Sequence, residues 1–452
     1  MGWGSNASTM PTPNPLPSPP PARGRERSQC RYLRCLPLLA LWCAVATAPA
    51  SAQDAALGAN LQGLLDFARA SSAELSTMRH EADAAAQRIT SAGALPDPVV
   101  RVELMNINNY GSDSAPNLLP ARVGETRYTL MQALPGWGKR DLRRDLAAAD
   151  AAQAGARVGT TWAELAARIK TSYAEAYRAG SNARLTRELL ELMRSLEQVA
   201  LARYAAGLSA QQDAIRAQLE QTAMRTELIM FEQEKRQLQA RLNALIGRDA
   251  AAPLADAQQL RTLPTLTAAD APALTQRTQA GNAQLQAEAA RLASAQKSRE
   301  LTARNRFPDF QVGVFPTQMR SRITSWGLMF EMNIPLQQES RRAQEREADS
   351  MVSAALARSE AMAQQLRAEL AASLFAFDAA RRTHTLLRTE LLPQSQLSLQ
   401  SARAAYESGK VDFATLLEAQ RQIRRAHQEL LKSEVEAQLR LADIERLVGD
   451  DL

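Results

Sequence analysis

The chain is written twice, and that duplication limits its fold more than any other feature. "ARYAAGLSAQQDAIRAQLEQ" around Tyr204 returns as "AAYESGKVDFATLLEAQRQI" around Tyr406. Tyr204 and Tyr406, Gly207 and Gly409, and Ala217-Gln218 and Ala419-Gln420 share one offset, as do the closing segments "LNALIG" at Gly247 and "IERLVG" at Gly449. Upstream, "LPDPVVRVEL" at Pro96 parallels "FPDFQVGVF" at Pro308, and "LMQALP" at Pro135 parallels "FEMNIP" at Pro335. Each half therefore reads helix, strand pair, long helix, turn, helix. Halves of about 200 residues are too long to be solenoid units, so a duplicated, elongated protomer is expected. The repeats are placed at 53–248 and 273–452, joined by a linker at 249–272 that carries Pro253, Pro264 and Pro272.

The helices are predicted to be long. No proline interrupts the stretch from Lys139 to Tyr204, and Leu185, Leu189, Leu192, Leu196 and Val199 keep a 4-3-4-3 spacing. Trp162, Leu165, Ile169, Tyr173 and Ala176 do much the same, and Leu416, Ile423, Leu430, Ala437 and Ile444 recur every seven residues. Those are coiled-coil seams. Abundant alanine favours helix and lets neighbouring helices approach closely, in a chain with only 5% aromatic residues.

The strand pairs alternate. In "SWGLMFEMNIP", Trp326, Leu328, Phe330, Met332 and Ile334 interleave with Ser325, Gly327, Met329, Glu331 and Asn333; in "VVRVEL", Val100, Val102 and Leu104 interleave with Arg101 and Glu103. One apolar and one polar face suit either a half-buried sheet or a barrel wall between lipid and water. Four strands close no barrel, so the second reading requires several chains.

The N-terminus reads as an export signal over residues 1–52. "RGRERSQCRYLR" supplies a positive segment, "CLPLLALWCAVATA" a short apolar one, and Ala50-Ser51-Ala52 an A-x-A cleavage site. Cleavage there removes five arginines and one glutamate, bringing the formal charge from +6 to about +2, together with Cys30, Cys35 and Cys43. The mature chain then has no thiol for a disulfide or a metal. Beyond Ala52 no apolar run reaches the ~18 residues of a membrane helix, so a membrane crossing would be made by strands.

Nothing in the sequence marks an active site, a cofactor site or a metal site. "LPGWGKR" places Gly138-Lys139 at the head of a helix, but a phosphate loop needs a glycine five residues earlier and a hydroxyl after the lysine, where Ala133 and Arg140 stand. His80, His384 and His427 show no ligand spacing and read as surface residues of helices. An enzyme is not expected, nor a nucleic-acid partner.

The ordered signals in both halves, "LPDP", "QALPGWGKR", the "Y-x-x-G" turns and the "LNALIG"/"IERLVG" ends, resemble those of TolC-like outer-membrane efflux proteins. The resemblance implies a mainly α protein with a small transmembrane β part: coiled-coil helices plus four strands per protomer, three protomers forming one α/β-barrel duct. It implies a homotrimer in outer-membrane lipid with a periplasmic extension, a periplasmic adaptor and an inner-membrane pump of the RND type. Pro135, Gly136, Gly138, Lys139 and Pro335 would then lie where strands become helices, with Lys139, Arg140, Arg143 and Arg144 reaching headgroups or acidic neighbours, or forming a solvated first turn. Tyr204, Gly207, Leu208 and Ser209, with Tyr406, Gly409, Lys410 and Val411, would be adaptor contacts at the tips, Ser209 or Asp412 capping the helix that follows. Asp213 and Glu418 fall at acidic positions of the family's channel constriction, while Thr415 departs from a carboxylate found in some relatives. "GALPDPVV…MQALPGWGKR" resembles the heavy-metal branch. A drug-efflux or secretion duct of the same fold, and a periplasmic coiled-coil scaffold, remain as alternatives.

Overall fold

The computed structural model describes residues 57–107, 118–120 and 122–452; the expected export signal and most of the first hairpin loop lie outside the described residues. Two short helices open the first half, α1 (Leu61–Ser71) and α2 (Ala73–Gly93), capped by the side chains of Asn60 and Ser72. Strands β1 (Val99–Met105) and β2 (Glu125–Leu134) follow, then α3 (Lys139–Ala205) and α4 (Gln211–Leu245). After an extended segment and a 3₁₀ turn (Ala268–Asp270), the second half repeats the order. It runs α5 (Ala271–Gly281), α6 (Ala283–Arg304), β3 (Phe310–Met319), β4 (Arg322–Met332) and α7 (Gln338–Leu386). A π-helical turn (Leu387–Leu391) just before Pro393 joins α7 to α8 (Leu392–Glu407), and α9 (Phe413–Val448) closes the chain. With 67 residues, α3 extends about 100 Å.

The sheet is antiparallel in the order β1-β2-β3-β4, which among the described residues leaves β1 and β4 as unpaired edges. The helices beside it keep the same order, α2 against α3, α3 against α6 and α6 against α7. Further along, α4 packs on α3, α3 on α9, and α9 on α7 and α8. The described residues from 57 on thus form a ribbon with first-half elements along one edge and second-half elements along the other.

Among the described residues three apolar clusters hold it. Leu64, Leu165, Ile169, Tyr173, Leu242 and Ile246 form one in the first half; Leu366, Leu370, Phe377, Leu441 and Ile444 form its counterpart in the second. Each half's closing glycine, Gly247 (φ 78°) and Gly449 (φ 85°), is left-handed and sits against the C-terminal end of that half's first helix. The third cluster joins both halves near the helical turns through Leu190, Met193, Leu196, Phe413, Leu416 and Tyr406. Here the seam predicted for α3 is rotated. Leu190, Met193, Leu196 and Ala200 are buried, whereas Leu189, Leu192 and Val199 pack only at the margin. The physical reason is that α3 has α4 on one side and α9 on another, so it buries a face wider than a two-helix seam.

In the sheet, the cross-strand register aligns Val100, Leu130, Val314 and Leu328 in one row. That face is open: Val100 is 68%, Trp326 69% and Leu328 87% exposed. The opposite face carries Arg101, Glu103, Arg127, Gln311 and Glu331, and is crowded enough to bury Thr129, Met131 and Thr317. The predicted alternation is therefore real, but its apolar side faces outward rather than into a core of this chain.

Candidate functional site

Among the described residues no group of three or more His, Cys, Asp or Glu could hold a metal ion. His427 is half-buried rather than a surface residue: burial pushes its imidazole below the ordinary value, and Glu188 opposes that shift. The residues expected to be functional lie at the strand-to-helix turn and at the two helical tips.

At the turn, Pro135 ends β2 and the left-handed Gly138 (φ 78°) starts α3. Gly136 passes so close to the other half that a Cβ there would lie 2.6 Å from the carbonyl oxygen of Pro308. Its amide donates to Asp309 Oδ1 at 2.7 Å, and Lys139 Nζ donates to the same oxygen at 2.8 Å and to the Phe307 carbonyl at 2.9 Å. Lys139 is only 3% exposed, which removes it from any lipid headgroup: its stem is buried and its charge is taken by Asp309. Burial opposes ionisation of Asp309, but the Gly136 amide and the Lys139 ammonium hold its carboxyl below the usual range. Arg140 donates to the Gly93 carbonyl through Nε and Nη2, and Arg144 lies 3.5 Å from Asp141. In the second half Pro335 precedes Leu336-Gln337-Gln338, with neither glycine nor lysine, and α7 begins without a side-chain cap.

The tips are built alike. Leu208 N donates to Arg203 O and Lys410 N to Ala405 O, each at 2.8 Å, across left-handed Gly207 (φ 71°) and Gly409 (φ 76°). This six-to-one closure ends a helix where a residue with a Cβ would be strained. Asp412 then caps α9, accepting from Thr415 N at 3.0 Å and from the Thr415 hydroxyl at 2.6 Å. Thr415 thus holds the start of α9 through both its amide and its hydroxyl. Ser209 does not cap α4; its hydroxyl points back toward the Ala200 carbonyl, and Ala210 occupies the cap position.

Arg203, which the sequence did not single out, locks one tip to the other. It donates to the Glu407 carbonyl at 3.0 Å, and its guanidinium lies 5.1 Å from the centre of the Tyr406 ring. Tyr406 packs edge-on against Phe413 at 5.5 Å and is 3% exposed, whereas Tyr204 is 46% exposed. The duplicated tyrosines have diverged, and the expectation that Tyr406 meets a partner directly is corrected: its ring is core of the tip. Tyr204, Gly207, Leu208, Gly409 and Lys410 are exposed, while Ser209 and Val411 are half-buried. Asp213 is half-buried in the first turn of α4; burial first, then the Asp213 charge, raises the Tyr406 phenol above its ordinary value. Glu418 is exposed on α9. Beyond it, Glu220 of α4 accepts from Arg421 Nη2 at 2.7 Å, and Arg424 bridges Glu220 at 3.3 Å and Glu227 at 3.2 Å. These acid–base partners lie on different halves, so a one-dimensional reading had no spacing by which to pair them.

Long antiparallel helices thus run from an open sheet with one outward apolar face. The chain belongs to the outer membrane efflux protein family, which it matches over residues 64–248 and 274–450. Its fold is that of the channel CusC (TM-score 0.74, 15% identity, 86% of this chain and 92% of that one). The outer membrane protein VceC of Vibrio cholerae aligns similarly (TM-score 0.72, 16% identity, 86% and 96%). So does the open state of the MtrE outer membrane channel of Neisseria gonorrhoeae (TM-score 0.71, 16% identity, 89% and 94%). No curated protein matches the chain.

Proposed function

We propose that this chain is the outer-membrane exit duct of a tripartite efflux system, working as a homotrimer with a periplasmic adaptor and an inner-membrane pump. One observation carries the assembly: a four-stranded sheet with an outward apolar face and two unpaired edges. Exposed strand edges of this kind invite pairing with another chain. Three copies joined β1 to β4 give twelve strands, with the apolar faces in lipid. The helices of the same ribbon support it, because both of its edges carry exposed apolar side chains. These are Ile215, Leu219 and Ile229 on α4, and Phe375, Leu386 and Leu397 on α7 and α8. A periplasmic scaffold has no use for the open sheet. Membrane fractionation followed by detergent extraction tests the assembly: a trimer that only detergent releases supports it, and a monomer in the periplasmic fraction overturns it.

Tyr204, Leu208 and Lys410 are exposed at the tips and are the contact surface assigned to the adaptor. Gly409→Val places a β-branched residue at φ 76° and opens the six-to-one closure. The expected result is at least tenfold weaker adaptor binding by a trimer that still assembles; unchanged binding removes the tip from that role. The cargo is assigned to heavy-metal cations on the early "GALPDPVV…MQALPGWGKR" pattern. Selective metal accumulation in a deletion strain, reversed by the intact gene, is expected. Retention of dyes with normal metal levels would reassign the cargo to drugs.

A further inference from the structure

The polar face of the sheet carries bulky side chains that do not project from it. Phe315 and Gly327 are register partners on β3 and β4, and a Cβ added at Gly327 would lie 2.3 Å from the Phe315 ring. The ring therefore occupies the volume that any side chain at 327 would need. The Arg127 guanidinium lies over the same ring, 5.0 Å from its centre. Glu103 at 3.7 Å and Glu125 at 3.8 Å flank that guanidinium from β1 and β2. One row away the pattern recurs: a Cβ at Gly313 would meet both Met131 and Met329 at 3.2 Å. On this face each glycine is overlaid by a large neighbour lying along the wall.

We propose that Phe315, folded across Gly327 and held down by Arg127, sets the free bore of the lumen, and that Arg127 sets its charge balance. The inference rests on the barrel reading above, in which this polar face lines the channel. Three phenyl rings standing upright in a twelve-stranded barrel would obstruct it; glycine on the adjacent strand gives each ring a place to lie flat. Arg127 has a second consequence. Glu103, Glu125 and Glu331 put three carboxylates per copy on this face against Arg101 and Arg127, and Arg127, between Glu103 and Glu125, offsets part of that charge where permeating ions pass. Without it, the ring of carboxylates would favour cations.

Single-channel recording of the purified full-length protein in planar lipid bilayers tests the inference. Phe315→Cys is expected to be blocked by a charged, membrane-impermeant methanethiosulfonate reagent, while wild type and Leu328→Cys, on the lipid side, are not. Gly327→Val should lower conductance by roughly a factor of two by forcing the ring upright, and adding Phe315→Ala should restore it. Arg127→Gln should move the reversal potential toward that of a cation-selective pore. Current through Phe315→Cys that the reagent leaves untouched, or wild-type conductance in Gly327→Val, overturns the bore assignment. An unmoved reversal potential in Arg127→Gln overturns the charge assignment. If Gly327→Val fails to insert, the thiol block alone decides. Absence of any wild-type channel would instead overturn the barrel reading, and this inference with it.

Discussion

Glu445→Ala is expected to destabilise the folded chain by about 3–5 kcal/mol, the cost of breaking a buried charge network by removing one partner. Glu445 is 3% exposed near the end of α9; it accepts from Lys170 Nζ at 2.7 Å, from Arg261 Nη1 at 2.8 and 3.0 Å, and from Leu452 N at 3.2 Å. Lys170, 7% exposed on α3, is shared with Asp451, and its hydrogen bond holds the Asp451 carboxyl below its ordinary value. One carboxylate thus ties together the first half, the linker and the end of the second half. Alanine would leave the Lys170 ammonium buried with Asp451 as its only carboxylate partner. Thermal or denaturant unfolding of the detergent-solubilised protein measures the loss. Two controls fix the cause. Arg277→Ala removes an exposed pair with Asp450 (3.1 Å) and should cost under about 1 kcal/mol. The double change Lys170→Met with Glu445→Leu should recover most of the loss, because apolar side chains of similar volume need no partner.

The sequence made some of this structure legible and hid the rest for identifiable reasons. Local periodicity carries the elements: proline-free runs with regular apolar spacing became α3 and α9, and strict alternation became β4. The duplicated Gly207 and Gly409 announced the tips, because a left-handed helix end is written in a single residue. Alternation could not say what covers the apolar face, since a buried sheet and a lipid-facing wall share the period of two. The sense of the seam in α3 was misread, Leu189 and Leu192 for Leu190 and Met193, because a second neighbouring helix widens the buried face. Contacts that pair residues of different halves, as Arg203 with Glu407 or Arg421 with Glu220, have no sequence period at all. Duplication even misled at Tyr406, where equal positions in two repeats took opposite exposures.

The clamp at the strand-to-helix turn should give the second large effect, and one that pH can switch. Asp309→Asn keeps an acceptor for the Gly136 amide but strands the Lys139 ammonium, 3% exposed, against the Phe307 carbonyl. The expected loss is about 2–3 kcal/mol, less than for a fully buried pair because Asp309 is 44% exposed and water screens it. Lys139→Met in the same chain should restore much of that stability by removing the stranded charge. The folded carboxyl of Asp309 titrates below its unfolded value, so the clamp is complete above the ordinary aspartate range. Its contribution is lost as pH falls from the unfolded value through the lower folded one. Wild type should therefore lose stability over that acid window more steeply than Asp309→Asn, whose side chain cannot take up the proton. Equal slopes would mean that Lys139 is held by the Phe307 carbonyl and by packing rather than by charge. Because the clamp joins β2 and α3 of one half to the start of β3 in the other, its loss should be felt first where the sheet meets the helices. Proteolysis near Gly136 at acid pH, in wild type and not in a variant cross-linked across that turn, would locate the opening there.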